Sequence, residues 1–190
     1  MTRHRFEEFL KNLVLELNNS GLSYAITGAT AASYYGIPRT TADIDFVVRV
    51  SARDLPRLTA TLEKAGLKVD LRKIRRQFRT EYNVVSFPDK SSQYRADFIF
   101  QKGRLQRREG SLLGLRTFYQ PPELLILAKL RMIKATIPDE KSLKDKNDII
   151  AILANTKVDL QTIQRSARRE SSLELFNNIR RQLKASSRTP

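Results

Sequence analysis

Asp43-Ile44-Asp45 is the first place in this chain where residue type and spacing suggest chemistry. On a strand, residues two apart project to the same face. The two carboxylates would then stand side by side and repel unless a cation lies between them. Ile44, Phe46 and Val48 supply the opposite, core-packing face. An all-oxygen donor set of this kind suits Mg²⁺ or Mn²⁺. The plain alternative, a solvated strand edge, is less natural in a chain otherwise so basic.

Asp97 is the third acid of interest, a lone carboxylate in Arg95-Ala96-Asp97-Phe98-Ile99-Phe100. If its strand lies beside that of Asp43 and Asp45, three carboxylates cluster, and such a cluster holds two metals for in-line phosphoryl displacement. Otherwise Asp97 is a surface acid paired with Arg95. Thr27-Gly28-Ala29 reads as a strand ending in a small-residue turn before a helix. Gly28 allows close approach to a phosphate, and a helix N-terminus offers free N–H groups to an anion. Taken alone, a glycine turn of this sort is more often structural.

The elements that must position these residues follow from periodicity. Phe6, Phe9, Leu10, Leu13 and Leu17 mark a helix over 5–17, ended by Asn18-Asn19-Ser20-Gly21. Strands are expected at 24–27, 43–48, 82–87 and 94–100, with helices over 29–35, 54–65 and, in a basic stretch, 72–79. Pro121-Pro122 opens an apolar helix from Glu123 to about Ala135, and Ile137-Pro138-Asp139 breaks it. A further helix is expected over 142–153 with Ser142 as its N-cap. From Asp159 the chain reads as charged and helical, with a frayed tail from Ser186 to Pro190. Strands thus occupy the first hundred residues. The expected class is α+β: a mixed sheet packed by helices, forming a core over 1–118, then a helical C-terminal extension over 119–190.

Lys129 sits among Leu125, Ile126, Met132 and Ile133 at helical spacing. An unpaired ammonium on an apolar face is costly. It must therefore snorkel to water, find a carboxylate or meet a phosphate. Asp145 suits a capping role after Ser142, in the first turn where an acid complements the helix dipole. Asp148 lies deeper on the same face, either in a structural salt bridge or orienting Lys129 or a site water.

With no cysteine and a single histidine, His4, the chain has no disulfide framework, no Cys-based zinc site and no material for a His-rich metal site. The lack of cysteine fits a reducing cytoplasm. No stretch reaches the ~18 apolar residues of a membrane span, and the N-terminus lacks the apolar region of a secretory signal. The formal charge is +15 with pI near 10.4, which predicts attraction to a polyanion. Between Lys68 and Arg79 six basic residues face one acid, and from Lys157 onward eight face three. Phosphate contacts of such runs give affinity without sequence choice.

The run Ile26-Thr27-Gly28-Ala29 through Pro38-Arg39-Thr40-Thr41-Ala42-Asp43-Ile44-Asp45-Phe46 resembles the signature of minimal nucleotidyltransferases of the DNA polymerase β superfamily. It looks closest to the AbiEii-like (type IV toxin) group. The resemblance extends to Pro121-Pro122-Glu123-Leu124-Leu125-Ile126-Leu127-Ala128-Lys129-Leu130 and to Lys144-Asp145-Lys146-Asn147-Asp148-Ile149, covering most of 22–153. It implies a nucleotidyltransferase-like sheet and transfer of a nucleoside monophosphate from an NTP. The catalytic and metal-binding residues would be Asp43, Asp45 and Asp97, with Mg²⁺ (or Mn²⁺) as cofactor. Gly28, Ala29, Arg39, Thr41, Lys129 and Asp148 would bind the nucleotide. The implied acceptor is RNA, such as a tRNA 3′ end, and the implied role is that of a toxin with an antitoxin partner. At position 29 the superfamily usually has Gly or Ser, so a serine hydroxyl that would bind triphosphate is absent here and catalytic competence is open. Two rivals remain: a small-molecule, antibiotic-type nucleotidyltransferase, and a degenerate domain that only binds nucleotide or nucleic acid.

Overall fold

The structure is a computed structural model that describes residues 2–80, 83–136 and 140–186. The chain divides into two compact units, Met1–Thr30 with Thr40–Gln120, and Ala31–Arg39 with Pro121–Pro190.

The first unit carries a six-stranded mixed sheet. Its strands are β1 (Ser23–Thr27), β2 (Asp43–Arg49), β3 (Val84–Pro88), β4 (Arg95–Gln101), β5 (Arg108–Leu112) and β6 (Leu115–Tyr119), in the order β3-β4-β2-β1-β6-β5. β2 runs antiparallel to β1 but parallel to β4, and β1 meets β6 in parallel. Strand alternation makes two faces. On one, Ile26, Phe46, Phe98 and Val85 follow one another across four strands, all essentially inaccessible. The Phe46 and Phe98 rings stack there, centroids 5.4 Å apart.

Helices α1 (Thr2–Asn19), α3 (Leu55–Lys64) and α4 (Leu71–Phe78) also belong to this unit. In α1 the stripe Phe9, Leu10, Leu13, Val14 and Leu17 is buried, and Gly21 at φ +69° turns the chain out toward β1. Proline near the start of α3 follows a short 3-10 turn, Ala52–Asp54, held by a capping box in which Ser51 N and Oγ donate to Asp54 Oδ2. Asp70 caps α4 by accepting from the N–H groups of Arg72 and Lys73. Phe78 of α4 meets Phe100 of β4, so α4 covers the aromatic face.

The second unit is helical: α5 (Pro122–Ala135), α6 (Glu140–Asn155), α7 (Leu160–Arg169) and α8 (Leu173–Ser186). The C-terminal part of α2 (Gly28–Tyr35) joins it. Gly36 lies so close to α6 that a Cβ there would sit 2.9 Å from Ala151 Cβ. Leu125, Ile126, Leu130, Ile149, Ile152, Ile163, Phe176 and Ile179 form its core.

Two expectations need correcting. Strands do not stop near residue 100, because β5 and β6 form a hairpin that widens the sheet. The helix expected from Ser142 already begins at Glu140, so Ser142 lies inside the first turn and Asp145 is an interior residue rather than a cap partner. The charged C-terminal stretch is helical as expected, in two helices separated where Ser171 takes φ +53°. The expected break at Ile137-Pro138-Asp139, the first residue of the 82–87 strand and most of the frayed tail lie outside the described residues.

Candidate active site

Asp43 and Asp45 lie two residues apart on β2, on the face opposite Phe46. Asp97 on β4 is the direct partner of Asp45 in the parallel ladder. Paired strands lie ~4.8 Å apart and residues two apart on a strand span ~6.6 Å, so the three carboxylates share one small patch of sheet. They also sit in a polar row, Thr27–Asp45–Asp97–Ser86, across β1, β2, β4 and β3. The parallel register does this. A shift of one residue would turn Asp97 into the core.

Each acid has its own surroundings. Thr41 Oγ1 donates to Asp43 Oδ1, tying the loop before β2 to the first carboxylate. Gly28, at φ +61°, leads from β1 into α2, and a Cβ built on it would fall 1.9 Å from Asp45 Oδ2. The Asp45 carboxylate therefore occupies the space a side chain at position 28 would need. Ala29 follows, buried, in the first turn of α2. Asp97 Oδ1 is buried and has no hydrogen-bond partner among the described residues; Arg95 Nε lies 4.0 Å from it. Arg95 directs its Nε and Nη2 at Ser86 Oγ instead, at 3.0 and 2.8 Å.

Lys129, Asp145, Asp148 and Arg39 come together in the helical unit. Lys129, 5% exposed, donates to Asp145 Oδ1 at 2.8 Å and to Asp148 Oδ2 at 2.7 Å. Arg39 clamps Asp148 from the other side in a bidentate pair, Nε to Oδ1 at 2.9 Å and Nη2 to Oδ2 at 3.0 Å. Of the three outcomes open to a lysine on an apolar face, the structure takes the carboxylate pairing. Two cations and two carboxylates make a neutral set, the arrangement that lets ions be buried at all. Sequence reasoning missed this partnership of Arg39 with Asp148, residues 109 apart, since nothing local signals it. Asp145, read first as a capping residue, belongs to the same network.

The donor chemistry of the sheet patch fits a small, hard divalent cation. The three candidate ligands are oxygen-only, and one of them presents a buried oxygen that lacks a partner, which in a native protein calls for an ion or water. Among the described residues, no three Asp, Glu, His or Cys side chains stand close enough to enclose an ion in their present rotamers. For these side chains to hold an ion at metal–oxygen distances of ~2.0–2.6 Å, they would have to rotate about the fixed backbone register.

The sequence matches no family model and no curated protein. Solved structures do share its fold. The antibiotic-resistance factor ANT(2'')-Ia, in solution, aligns with TM-score 0.61 at 13% identity, covering 97% of both chains. An antigenic nucleotidyltransferase-like protein from Paracoccidioides brasiliensis aligns with TM-score 0.60 at 17% identity, covering 94% of this chain and 91% of its own. ANT(2'')-Ia in complex with adenylyl-2''-tobramycin aligns with TM-score 0.58 at 13% identity, covering 94% and 98%. The fold is thus nucleotidyltransferase-like and α+β in class. Among the described residues no helix is long and apolar enough to cross a membrane.

Proposed function

We propose that this chain is a metal-dependent nucleotidyltransferase that moves a nucleoside monophosphate from an NTP to an acceptor hydroxyl. The observation that carries the reading is the register of β2 with β4, which sets Asp97 beside Asp45 on the face that also bears Asp43. Asp43, Asp45 and Asp97 would hold Mg²⁺ or Mn²⁺, which when bound supplies charge neutralisation at the transferring phosphoryl group. The acceptor oxygen bonds to the α-phosphorus, the bond from that phosphorus to the bridging oxygen of the β-phosphate breaks, and pyrophosphate leaves. Asp97 is the group suited to receive the acceptor's proton. Gly28 and the backbone N–H groups of Ala29 and its neighbours would meet the triphosphate at the start of α2. Thr41 holds Asp43 in place. Arg39, Lys129 and Asp148 belong to this reading as the nucleotide-binding residues that the sequence pattern implies, with Asp148 pairing both cations.

The acceptor we favour is RNA, such as a tRNA 3′ end, because the net charge of +15 is far more than a small neutral or cationic acceptor would require. The AbiEii-like grouping, an antitoxin partner and a cytoplasmic setting belong to the same reading and rest on the sequence pattern. A second reading, an antibiotic-type acceptor, is favoured by the fold shared with ANT(2'')-Ia over nearly the full chain. The absence of a serine hydroxyl at Ala29 leaves backbone donors alone at that turn, and a binding-only domain is the outcome if no transfer occurs.

The test is incubation of the whole protein with each α-labelled NTP, Mg²⁺ or Mn²⁺, and either total RNA or an aminoglycoside panel. Label should pass to RNA, and Asp45→Asn should lower the rate by about a hundredfold or more while leaving RNA affinity unchanged. Label on an aminoglycoside alone selects the second reading. No label on any acceptor, with all four NTPs and both metals, leaves a binding domain.

A further inference from the structure

The helical unit has a hollow of its own. It opens where α6 ends, α7 begins and the last turns of α8 pass by, with a volume of about 300 Å³. Its floor is aliphatic: Leu153 from α6, Val158 and Leu160 at the entry to α7, and Leu183 from α8, each half-buried. The cause is visible along α8. Its apolar stripe of Phe176, Ile179 and Leu183 is fully covered at Phe176 and Ile179, but Leu183 extends past the covered part of the stripe. Lys157, Arg180 and Lys184 line the same hollow, and among the described residues no acid does. A second hollow adjoins it, sharing Arg180 and Lys184 and adding Arg181. Residues 177 to 184 cover about 10 Å of helix axis, so the two together form a groove two turns long.

We propose that this groove is the docking site of an acidic, amphipathic helical segment of another protein. An aliphatic floor takes Leu, Ile or Met knobs at helical spacing, the helix-in-groove mode of recognition. The Lys157, Arg180 and Lys184 rim is complementary to Asp or Glu flanking those knobs and repels a basic segment. Nucleic acid is the other polyanion the charge admits, but single-stranded bases bind on aromatic platforms, and none of the described residues lining either hollow is aromatic. The apolar floor is thus left without use in an RNA complex and is filled in a protein one. The proposal does not depend on the catalytic reading.

The test uses the full chain and three fluorescein-labelled probes, read by anisotropy. The first is a peptide of about 18 residues with Leu on one helical face and Glu on its flanks. The second has the same composition, scrambled so that no apolar face forms. The third is a single-stranded RNA of similar length. The amphipathic peptide should bind at least roughly tenfold tighter than its scramble, and should lose at least roughly tenfold on Val158→Asp and on the double variant Lys157→Glu/Lys184→Glu. Both variants lie at exposed or half-exposed positions, and circular dichroism and melting check that they fold. Failure of the amphipathic peptide to bind, equal binding of the scramble, or binding indifferent to Val158→Asp overturns the proposal. RNA that displaces the peptide and loses affinity on both variants overturns it in favour of a nucleic-acid surface.

Discussion

Gly28 is fixed by two independent facts, its left-handed φ and the Asp45 carboxylate lying where its Cβ would be. The left-handed region costs an L-residue about 1–2 kcal/mol, and alanine there would also push Asp45 aside. Gly28→Ala should therefore reduce stability by about 1–2 kcal/mol in a denaturant titration, yet abolish nucleotide transfer; a variant that melts lower but transfers at the wild-type rate would remove Asp45 from the chemistry. Lys129 makes the opposite kind of prediction. Lys129→Met leaves Asp145 and Asp148 facing each other without the cation between them, and breaking such a buried set typically costs about 3–5 kcal/mol. Asp145→Asn keeps a hydrogen-bond acceptor for Lys129 and should cost far less. If both variants unfold at the same denaturant concentration, the ammonium is not the centre of the network. The sequence made Asp43, Asp45 and Gly28 legible because strand period and turn chemistry are local. It could place Lys129 on an apolar face but could not choose its partner, which lies a whole helix away.

Turns and edges were where the reading of elements fell short. The hairpin of β5 and β6 was missed because its turn is Leu113-Gly114, with φ +51° and +82°, rather than the Asn-Gly or Asp-Gly that usually signals one. Its outer strand begins Arg108-Glu109, the charged character that protects a sheet edge and hides it from a hydrophobicity pattern. The turn between β3 and β4 carries a pH dependence. Burial alone would raise the pKa of Asp89, but hydrogen bonds from the hydroxyls of Ser92 and Ser91 and from the N–H groups of Ser91 and Lys90 outweigh it. The folded value therefore lies below the unfolded ~3.9. The stabilisation is present in full above that value and is lost as pH falls through the folded one. The stability gap between wild type and Asp89→Asn should be flat from neutral pH to about 5 and shrink below about 4; a gap that stays constant down to pH 2 would sink this account. In α4, Lys73 turns inward, its Nζ donating to Ser86 O at 2.9 Å and lying 5.6 Å from the Phe87 ring centre, while Arg72, Arg75 and Arg76 stay exposed. The basic stretch seen in the sequence is thus not uniform.

Net charge belongs to the whole molecule, and so does its test. If RNA binds over α4, replacing Arg72, Arg75 and Arg76 by alanine should flatten the logarithmic salt dependence by about two, at ~0.7 per phosphate contact. Lys73→Ala should leave that slope as it is. An unchanged slope in the triple variant would take α4 off the binding surface. The parallel pairing of β2 with β4 has one more consequence, for the order of events at synthesis. Asp43 and Asp45 leave the ribosome about fifty residues before the strand that completes their face, and β1 waits longer still for β6, its neighbour across a gap of 93 residues at Ile26 and Tyr119. Neither pairing can form as a local hairpin, so both depend on closing long loops. A nascent chain therefore carries the first two acids without the third, and whatever chemistry this face performs is withheld from the cell until most of the first unit has emerged and closed.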